Sequence, residues 1–326
     1  MQIDLQTINI KPLRQTFDHL ARRFGDKPAS RYQEGTYDIQ QDFLFHYRPT
    51  WEPDREIFDE RRTAIRMRDW YDFKDPRQFY YGTYTIARAK QQEAADAAFE
   101  FAEQNGLDEL PEAVRKLMLE VLLPMRHLEW GGNMNNTFIS AYGYGTAIEA
   151  ACMYAAMDRL GIAQQISRIG LAVAGEAALG AAKGLWLESP AWQPLRKYVE
   201  DSFVIRDWFE LFIAQNLILD ALVHQFLYVH VDKLALREGS ALFGLLTKFM
   251  KDWHGETSRW VDAVVKAAVG ESAENKAVVG AWMGKYRDSA SAAVASLVQP
   301  IFGAATANVM DTIRCDLQTR LQKVGL

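Results

Sequence analysis

The stretch DSFVIRDWFELFIAQNLILDALVHQFLYVHVDKLAL, residues 201–236, decides the fold. If it is wound as a helix, apolar side chains cover most of its circumference, whereas a surface helix shows an apolar stripe on one side only. A helix that is apolar nearly all round belongs in the interior of a protein. The stretch therefore predicts a long helix at the centre of a helical bundle.

Helical periodicity continues on the N-terminal side of this stretch. From Pro76 to Asn105, apolar residues recur every three or four positions, after an Asp-Pro pair that is typical of a helix start. A second helix is expected to begin near Leu110 and to kink at Pro124, because proline lacks the backbone N–H. The block 141–184 is rich in alanine and glycine, which predicts helices packed closely on several sides, with the glycines of AYGYG serving that packing.

Two or three further helices are expected after residue 239, and neither strand alternation nor a repeat of fixed period is visible. The predicted fold class is all-α. The predicted organisation is an irregular N-terminal arm, residues 1–75, followed by one helical domain, residues 76–326.

The arm carries many aromatic residues among charged ones, too many for a solvated tail. Two interpretations stay open: the arm folds back on its own domain, or it clasps a partner chain. The candidate interface residues are Phe43, Phe45, Tyr47, Trp51, Phe58, Trp70, Phe79 and Tyr80.

Composition excludes several classes of partner. The net charge of −5 leaves no footprint for nucleic acid or an anionic membrane surface. The two cysteines are too few and too far apart for a disulfide framework or a cysteine zinc site, which favours a reducing cytoplasm. A signal peptide is not recognisable, and no apolar run is expected to span a membrane.

The segment LPMRHLEW, residues 123–130, raises the question whether the chain binds a metal, because it places a histidine within a predicted helix. A di-iron carboxylate bundle needs four carboxylates and two histidines, with Glu-x-x-His on two helices. None of the six histidines has Glu or Asp three residues before it, and Pro124 takes that position before His127. We therefore expect His127, and the pair Asp220 and His224, to be satisfied polar groups of the core. Phosphate-binding loops, a nucleophile elbow and Cys-x-x-Cys are absent from the sequence as well.

A family resemblance enters with the run WYDFKDPRQFYYGTY, residues 70–84. It resembles the W-x-x-F-[RK]-D-P-x-x-x-x-Y-x-T-Y signature of hydroxylase subunits of bacterial multicomponent monooxygenases. The similarity extends through KPLRQTFDHL, SPAWQPLRKYVEDSF, RDWFELFIAQNL and EGSALFGLLTKFMKDW, and so covers nearly the whole chain. Within the family, the sequence most resembles the β subunit of phenol hydroxylase.

This resemblance implies a ferritin-like helical bundle without a di-iron site. It implies a non-catalytic β subunit, with no cofactor of its own, of a cytoplasmic complex that converts phenol to catechol with O2 and electrons from NADH. The catalytic α subunit would hold the di-iron centre, and α, β and γ would form an (αβγ)2 assembly that regulatory and reductase components can approach. The positions that would correspond to lost ligands are Ala155, Asp158, Glu210, His254 and Thr257.

Three other functions compete with this one. The chain could be the β subunit of a toluene-type monooxygenase, or a helical binding module that acts alone. It could also be a stand-alone metal oxidase with Glu149, Asp158, Glu176 and Glu210 as its carboxylates.

Overall fold

The computed structural model describes residues 13–41 and 44–326, and within these ranges every regular element is a helix. The α-helices are α1 Asp18–Phe24, α2 Arg31–Glu34, α3 Tyr81–Gln104, α4 Glu112–Lys116, α5 Met125–Tyr142, α6 Thr146–Ala174, α7 Ala177–Glu188, α8 Gln193–Ser202, α9 Trp208–Phe212, α10 Asp220–His224, α11 Asp232–Arg237, α12 Leu242–Leu246, α13 Lys248–Glu271, α14 Ala273–Phe302 and α15 Thr306–Lys323. Segments of π-helix cover Leu117–Leu122, Ile213–Leu219 and Gln225–Val231, and short 3-10 helices cover Glu60–Arg62, Trp70–Asp72 and Gly303–Ala305. The all-α prediction is confirmed.

One continuous helix, Trp208–Arg237, runs through the core and is called the central helix below. It comprises α9, α10, α11 and the two π segments between them. The Asp207 carboxylate caps its start by accepting hydrogen bonds from the backbone N–H groups of Phe209 and Glu210, at 2.9 and 3.1 Å. Nearly every side chain as far as Val223 is buried, so the predicted central position is confirmed.

Helices α5 and α6 form an antiparallel hairpin. Asn133 Nδ2 donates to the Ala156 carbonyl at 2.9 Å, and Ser140 Oγ donates to the Glu149 carbonyl at 2.9 Å. Between the two helices Gly145 has a φ of 93°, and a Cβ on it would lie 3.3 Å from Trp70 Cβ. Gly145 therefore builds the turn and does not serve helix packing as expected. The expectation holds for Gly143, where a Cβ would lie 3.1 Å from Ile148 Cγ2.

At Pro124, where a kink was predicted, the regular helix is interrupted. A π-helical segment ends just before it, with the Leu123 N–H donating to the Met118 carbonyl, five residues back, at 2.9 Å. A turn at residues 123–124 follows, and α5 begins at Met125. The missing N–H of proline coincides with the point where regular hydrogen bonding is interrupted.

The described part of the arm, residues 13–41 and 44–75, folds back on the helical body. Arg23 donates to Asp38 at 2.7 Å and also to Asp69. These bonds connect α1 with the segment that precedes the 3-10 helix Trp70–Asp72. Gln40 donates to the Glu149 carboxylate at 2.6 Å and accepts from the Gly145 N–H at 3.1 Å. Whether the arm also clasps a partner chain stays a prediction.

The Asp-Pro pair does not start the helix, contrary to the sequence prediction. Asp75 accepts from both the backbone N–H and the guanidinium Nε of Arg77, each at 2.9 Å, and both side chains are buried. Gln78 then adopts a φ of 53°, and α3 begins only at Tyr81. The boundary proposed between residues 75 and 76 lies beside this buried ion pair, whereas the predicted helix end at Asn105 is correct.

A chain of partly or fully buried ion pairs connects this turn with three helices. Glu256 of α13 contacts Arg77 at 3.5 Å and Arg88 of α3 at 3.0 Å. Arg88 in turn donates to Asp158 of α6 at 2.6 Å. Asp158 also accepts from Trp253 Nε1 at 2.9 Å, so its carboxylate joins α3, α6 and α13.

Cys152 is buried and Cys315 is exposed, and both are free, as the cysteine count predicted. Two helical stretches, Trp208–Arg237 and Ala273–Lys323, are apolar and long enough to cross a membrane by length and composition, which the sequence analysis did not expect. In the first, 83% of the most apolar window is buried in the chain, as in the core helix of a soluble protein, and in the second 33%. Length and hydropathy alone are weak evidence for a membrane span.

Replacing Gly145 with alanine should lower the free energy of unfolding by about 1–2 kcal/mol, because a residue with a Cβ strains a left-handed backbone. The added methyl group would also press on Trp70. Chemical denaturation of the purified chain measures the effect. Gly184→Ala is the matched control, since Gly184 is helical with open space around its Cβ position and alanine should leave stability equal or higher. Equal stability of Gly145→Ala and the wild type would contradict the proposed strain.

Candidate functional site at the centre of the bundle

Three charged side chains meet where α5, α6 and the central helix come together. Arg159 of α6 donates from Nη1 to Glu129 of α5 at 2.9 Å, and from Nη2 to Asp220 of the central helix. The exposed fractions are 2% for Arg159, 4% for Glu129 and 7% for Asp220. These three residues are called the central triad below.

Uncharged neighbours hold the triad in place. The Trp253 ring of α13 lies over the Arg159 guanidinium, with 4.5 Å between the guanidinium carbon and the ring centroid. Gln215 donates to the second Asp220 oxygen at 2.9 Å, and Asn135 donates to Gln215 at 2.8 Å. A Cβ on Gly132 would approach Arg159 Nε to 3.1 Å, so glycine gives the arginine its room.

Arg159 keeps its positive charge in this buried setting. Burial by itself lowers the pKa of Arg159, but Asp220 and Glu129 raise it, and the net pKa lies above its ordinary value. The pKa of Glu129 is raised by burial, and Arg159 opposes that rise. Removing any one of these three charged groups would leave a buried charge without its partner, which strongly destabilises a folded protein.

Two histidines lie next to the triad. His224 of the central helix and His254 of α13 stack with their ring centroids 3.9 Å apart and their planes 13° from parallel. Burial, followed by Lys251 and Arg320, lowers the pKa of His224 to about 4, and burial with His224 lowers that of His254. Both imidazoles are therefore neutral at neutral pH.

A cavity of about 20 Å3 separates the histidines from the triad and has room for about one water molecule. The residues that line it are Leu128, Glu129, Arg159, Ile162, Asp220, Val223, His224, Tyr228, Met250, Trp253 and His254. Four different helices, α5, α6, the central helix and α13, contribute to this lining.

These residues do not fit a di-iron centre. Such a centre takes four carboxylates and two histidines, whereas this cavity offers two carboxylates, and both are bonded to Arg159. Among residues 13–41 and 44–326, no group of three or more His, Cys, Asp or Glu side chains is arranged to hold a metal ion. The guanidinium occupies the position where a cation would have to balance the two carboxylates.

Of the positions predicted to be ligand remnants, only His254 lines this cavity. Asp158 is buried one residue away from Arg159, but it is bonded to Arg88, Tyr84 and Trp253. Glu210 accepts from Lys285 and Tyr286, each at 2.7 Å, apart from the cavity. The two remaining positions, Ala155 and Thr257, are buried, with exposed fractions of 2% and 4%.

The expected pairings of the other histidines are corrected. Asp220 pairs with Arg159 and not with His224. His127 stacks on Trp186 with centroids 5.7 Å apart, and its Nε2 atom is buried without a hydrogen bond partner. Burial, with Arg126 and Lys183, lowers the pKa of His127 to about 4.

The sequence analysis missed the central triad. The sequence contains an indication of it, because Arg159 lies in the apolar run AACMYAAMDRLG and Asp220 lies in an equally apolar run. A charge on the inward side of such a helix must be paired. Glu129, Arg159 and Asp220 are far apart along the chain, so no local pattern connects them.

The predicted interface residues divide by exposure. Trp70 and Phe79 are buried in the chain's own core, with exposed fractions of 7% and 9%. Phe45 and Phe58 stack on each other with centroids 5.4 Å apart, and Tyr80 is half-buried before α3.

Only two of the described candidates present large exposed rings. Tyr47 and Trp51 are 52% and 68% exposed. Phe43 lies outside the described residues. An interface role for any of these residues stays a prediction.

The fold and its centre define a ferritin-like helical bundle in which an arginine lies between two buried carboxylates. The family model for methane, phenol and alkene hydroxylases matches residues 51–272. The chain belongs to this family, which confirms the resemblance seen in residues 70–84, and its relatives are oxygenase components of monooxygenases.

Individual relatives match most or all of the chain. The oxygenase component DmpL of phenol 2-monooxygenase from Pseudomonas sp. (strain CF600) is 47% identical, and the match covers 100% of this chain and 98% of that protein. The crystal structure of xenon-pressurized phenol hydroxylase from Pseudomonas sp. OX1 contains a chain with a TM-score of 0.93 and 42% identity, with 98% of each chain covered. The β subunit of the toluene-4-monooxygenase hydroxylase component from Ectopseudomonas mendocina is 27% identical, over 87% of this chain and 89% of that one.

Removing the guanidinium should destabilise the fold strongly. Arg159→Met leaves Glu129 and Asp220 buried without a cation, which typically costs about 3–5 kcal/mol. Chemical denaturation at neutral pH measures the loss. Lys197→Met is the control, because Lys197 forms an exposed ion pair with Asp201 and should change stability little. A similar effect of both variants would contradict a structural role for the triad.

Glu149 should make stability depend on pH. Burial raises its pKa to about 7, and its hydrogen bond from Gln40 opposes that rise. The folded chain therefore binds this proton more tightly than the unfolded chain, so the free energy of unfolding should fall as pH rises from 4.5 to 7. At about 1.4 kcal/mol per pKa unit, the decrease reaches about 3 kcal/mol.

Glu149→Gln should remove this pH dependence and raise stability above that of the wild type at pH 8, but not at pH 4.5. Unfolding curves at a series of pH values test this. The control is Glu188→Gln, which changes an exposed glutamate and should leave the pH profile as it is in the wild type. Parallel profiles for wild type and Glu149→Gln would show that the carboxyl titrates normally.

Proposed function

We propose that this chain is the non-catalytic β subunit of a phenol hydroxylase, the oxygenase of a cytoplasmic multicomponent monooxygenase that converts phenol to catechol with O2 and electrons from NADH. The observation that carries the proposal is the position of Arg159, which bonds both central carboxylates. The substrate class rests on the 47% identity to a phenol 2-monooxygenase component over the full chain.

The chemistry of the triad supports a structural role. A guanidinium is always charged and binds carboxylates in a fixed planar geometry, so it satisfies the two buried anions permanently. An iron ion at this place would have to displace it and would find only two carboxylates and two stacked imidazoles. Packing around the small cavity makes the bundle a rigid support rather than a reaction chamber.

Partner subunits follow from the same comparisons. One relative carries the description oxygenase component, and another the description subunit beta of a hydroxylase component. In our proposal the α subunit holds the di-iron centre and the substrate pocket, and α, β and γ form an (αβγ)2 complex. This chain stabilises α within the complex and helps to shape the surface that regulatory and reductase components approach.

The competing functions have less support. A toluene-type assembly is disfavoured by the identity of 27%, against 47% for the phenol relative. The carboxylates of a stand-alone oxidase do not come together: Glu149 is bonded to Gln40, Asp158 to Arg88 and Glu210 to Lys285, while Glu176 is exposed.

Iron content tests the proposal directly. Elemental analysis of the chain purified alone should find no stoichiometric iron, whereas the complex co-expressed with its α and γ partners should contain iron and hydroxylate phenol. Omission of this chain from the co-expression should abolish turnover, because α then lacks its support. Stoichiometric iron in the isolated chain would overturn the proposal.

A variant separates support from catalysis. Arg159→Lys keeps a positive charge but loses the planar two-sided bonding, so the assembled complex should show a lower melting temperature. Turnover per bound iron in the complex that remains assembled should equal that of the wild type. A large loss of turnover per iron in an intact complex would place the triad in the catalytic machinery.

A further inference from the structure

A cavity of about 150 Å3 opens between α3 and the pair of helices α12 and α13, apart from the central triad and from the arm. Its lining is mostly apolar. The apolar residues are Ala94, Ala95 and Ala98 of α3 and Leu245, Leu246 and Phe249 of α12 and α13. This cavity is called the α3 groove below.

The alanines of α3 create the space. Ala94 and Ala98 are four residues apart and therefore lie on one side of the helix, with Ala95 beside them. Phe99, on another side of α3, is 2% exposed and packs into the core. Helix α3 is thus held to the bundle by a large residue and leaves a gap where it carries only methyl groups.

The opposite wall is formed where the chain passes from α12 into α13. Leu246 is 5% exposed, and Leu245 and Phe249 are half-buried against the core. Between them, Thr247 donates from its hydroxyl to the Phe243 carbonyl at 2.7 Å, which fixes the turn. The apolar wall is therefore in place before any ligand binds.

The rim of the groove carries a positive charge that the chain does not balance. Lys248 donates to both carboxylate oxygens of Asp252, at 2.8 and 2.6 Å, so these two charges cancel. Lys90 is exposed and forms no ion pair within the described part of the chain. The Gln91 side-chain oxygen accepts from Arg88 at 2.8 Å, which leaves the amide N–H groups to bond a ligand. The polar groups available at the rim are therefore donors.

The dimensions of the groove limit what it can hold. An apolar cavity of about 150 Å3 is large enough for one benzene ring. The eight residues from Lys90 to Ala98 cover roughly 12 Å at about 1.5 Å per residue, which is too short for a long acyl chain. A standard protein interface needs roughly 20–30 residues from each partner, many more than line this groove. A small molecule with one ring fits, whereas a lipid or a protein does not.

We propose that the α3 groove binds a single-ring aromatic carboxylate, of which benzoate is the simplest. The ring lies between the alanines of α3 and the Phe249 side chain, which offers an aromatic surface to pack against. The carboxylate lies at the rim, where it accepts from the Lys90 ammonium and the Gln91 amide. This site goes beyond the proposed function and does not depend on it.

Fluorine NMR of para-fluorobenzoate, titrated with the purified full-length chain, tests the site. The wild type should show saturable binding to one site per chain. Ala98→Leu fills the cavity and should lower the affinity by at least about tenfold. The matched control is Ala97→Leu, the same change at an exposed neighbour that does not line the groove, and it should bind like the wild type.

A second variant tests the charge at the rim. Lys90→Met should lower the affinity for para-fluorobenzoate by roughly threefold, as expected for an exposed ion pair, and leave the weaker binding of fluorobenzene unchanged. Circular dichroism melts should be alike for all three variants and the wild type.

Several results would overturn the proposal. These are the absence of saturable binding, equal binding by wild type and Ala98→Leu, and fluorobenzene binding as tight as that of para-fluorobenzoate. In the complex co-expressed with α and γ, the wild type should bind one more para-fluorobenzoate per copy of this chain than Ala98→Leu does. Equal numbers would show that another subunit covers the groove, which also overturns the proposal. The iron measurements that test the proposed function are independent of all these outcomes.

Discussion

The pairing of Arg159 with Glu129 and Asp220 is the constraint on which the rest of the bundle depends. Three charges in the core are tolerable only when each one is bonded, because an isolated buried ion costs several kcal/mol. The triad therefore constrains the residues around it. Position 132 must be glycine to leave room for Arg159, and the Trp253 ring must lie over the guanidinium. The triad fixes the positions of α5, α6 and the central helix relative to one another more precisely than apolar packing alone could.

A second polar network plays the same part at the junction of arm and bundle. The carboxylates of Asp75, Glu256 and Asp158 alternate with the guanidinium groups of Arg77 and Arg88. The Asp-Pro signature thus has a physical meaning that differs from the expected helix cap. Its aspartate orders a turn and begins a line of charges that reaches α6, one residue from the triad.

The sequence predicted what local periodicity controls, and it missed what distant side chains control. The central helix, the irregularity at Pro124 and the helix end at Asn105 follow from apolar spacing and from single residues with strong backbone preferences. The helix start at Pro76 was wrong because the Asp75 carboxylate is used by Arg77. The triad joins residues 30 and 61 positions apart, and no local pattern announces such a pairing.

The π-helical segments of the central helix limit which single-residue insertions and deletions the helix can tolerate. A π turn contains one residue more than the α turn it replaces, and each inserted residue rotates everything after it by about 100°. The segment Ile213–Leu219 directly precedes Asp220, so it sets the direction in which that carboxylate points. A deletion of one residue there would convert the segment to an ordinary helix at little cost in backbone hydrogen bonds, yet it would turn Asp220 away from Arg159. The exact number of residues in this helix therefore determines the geometry of the central triad as much as the charged groups do.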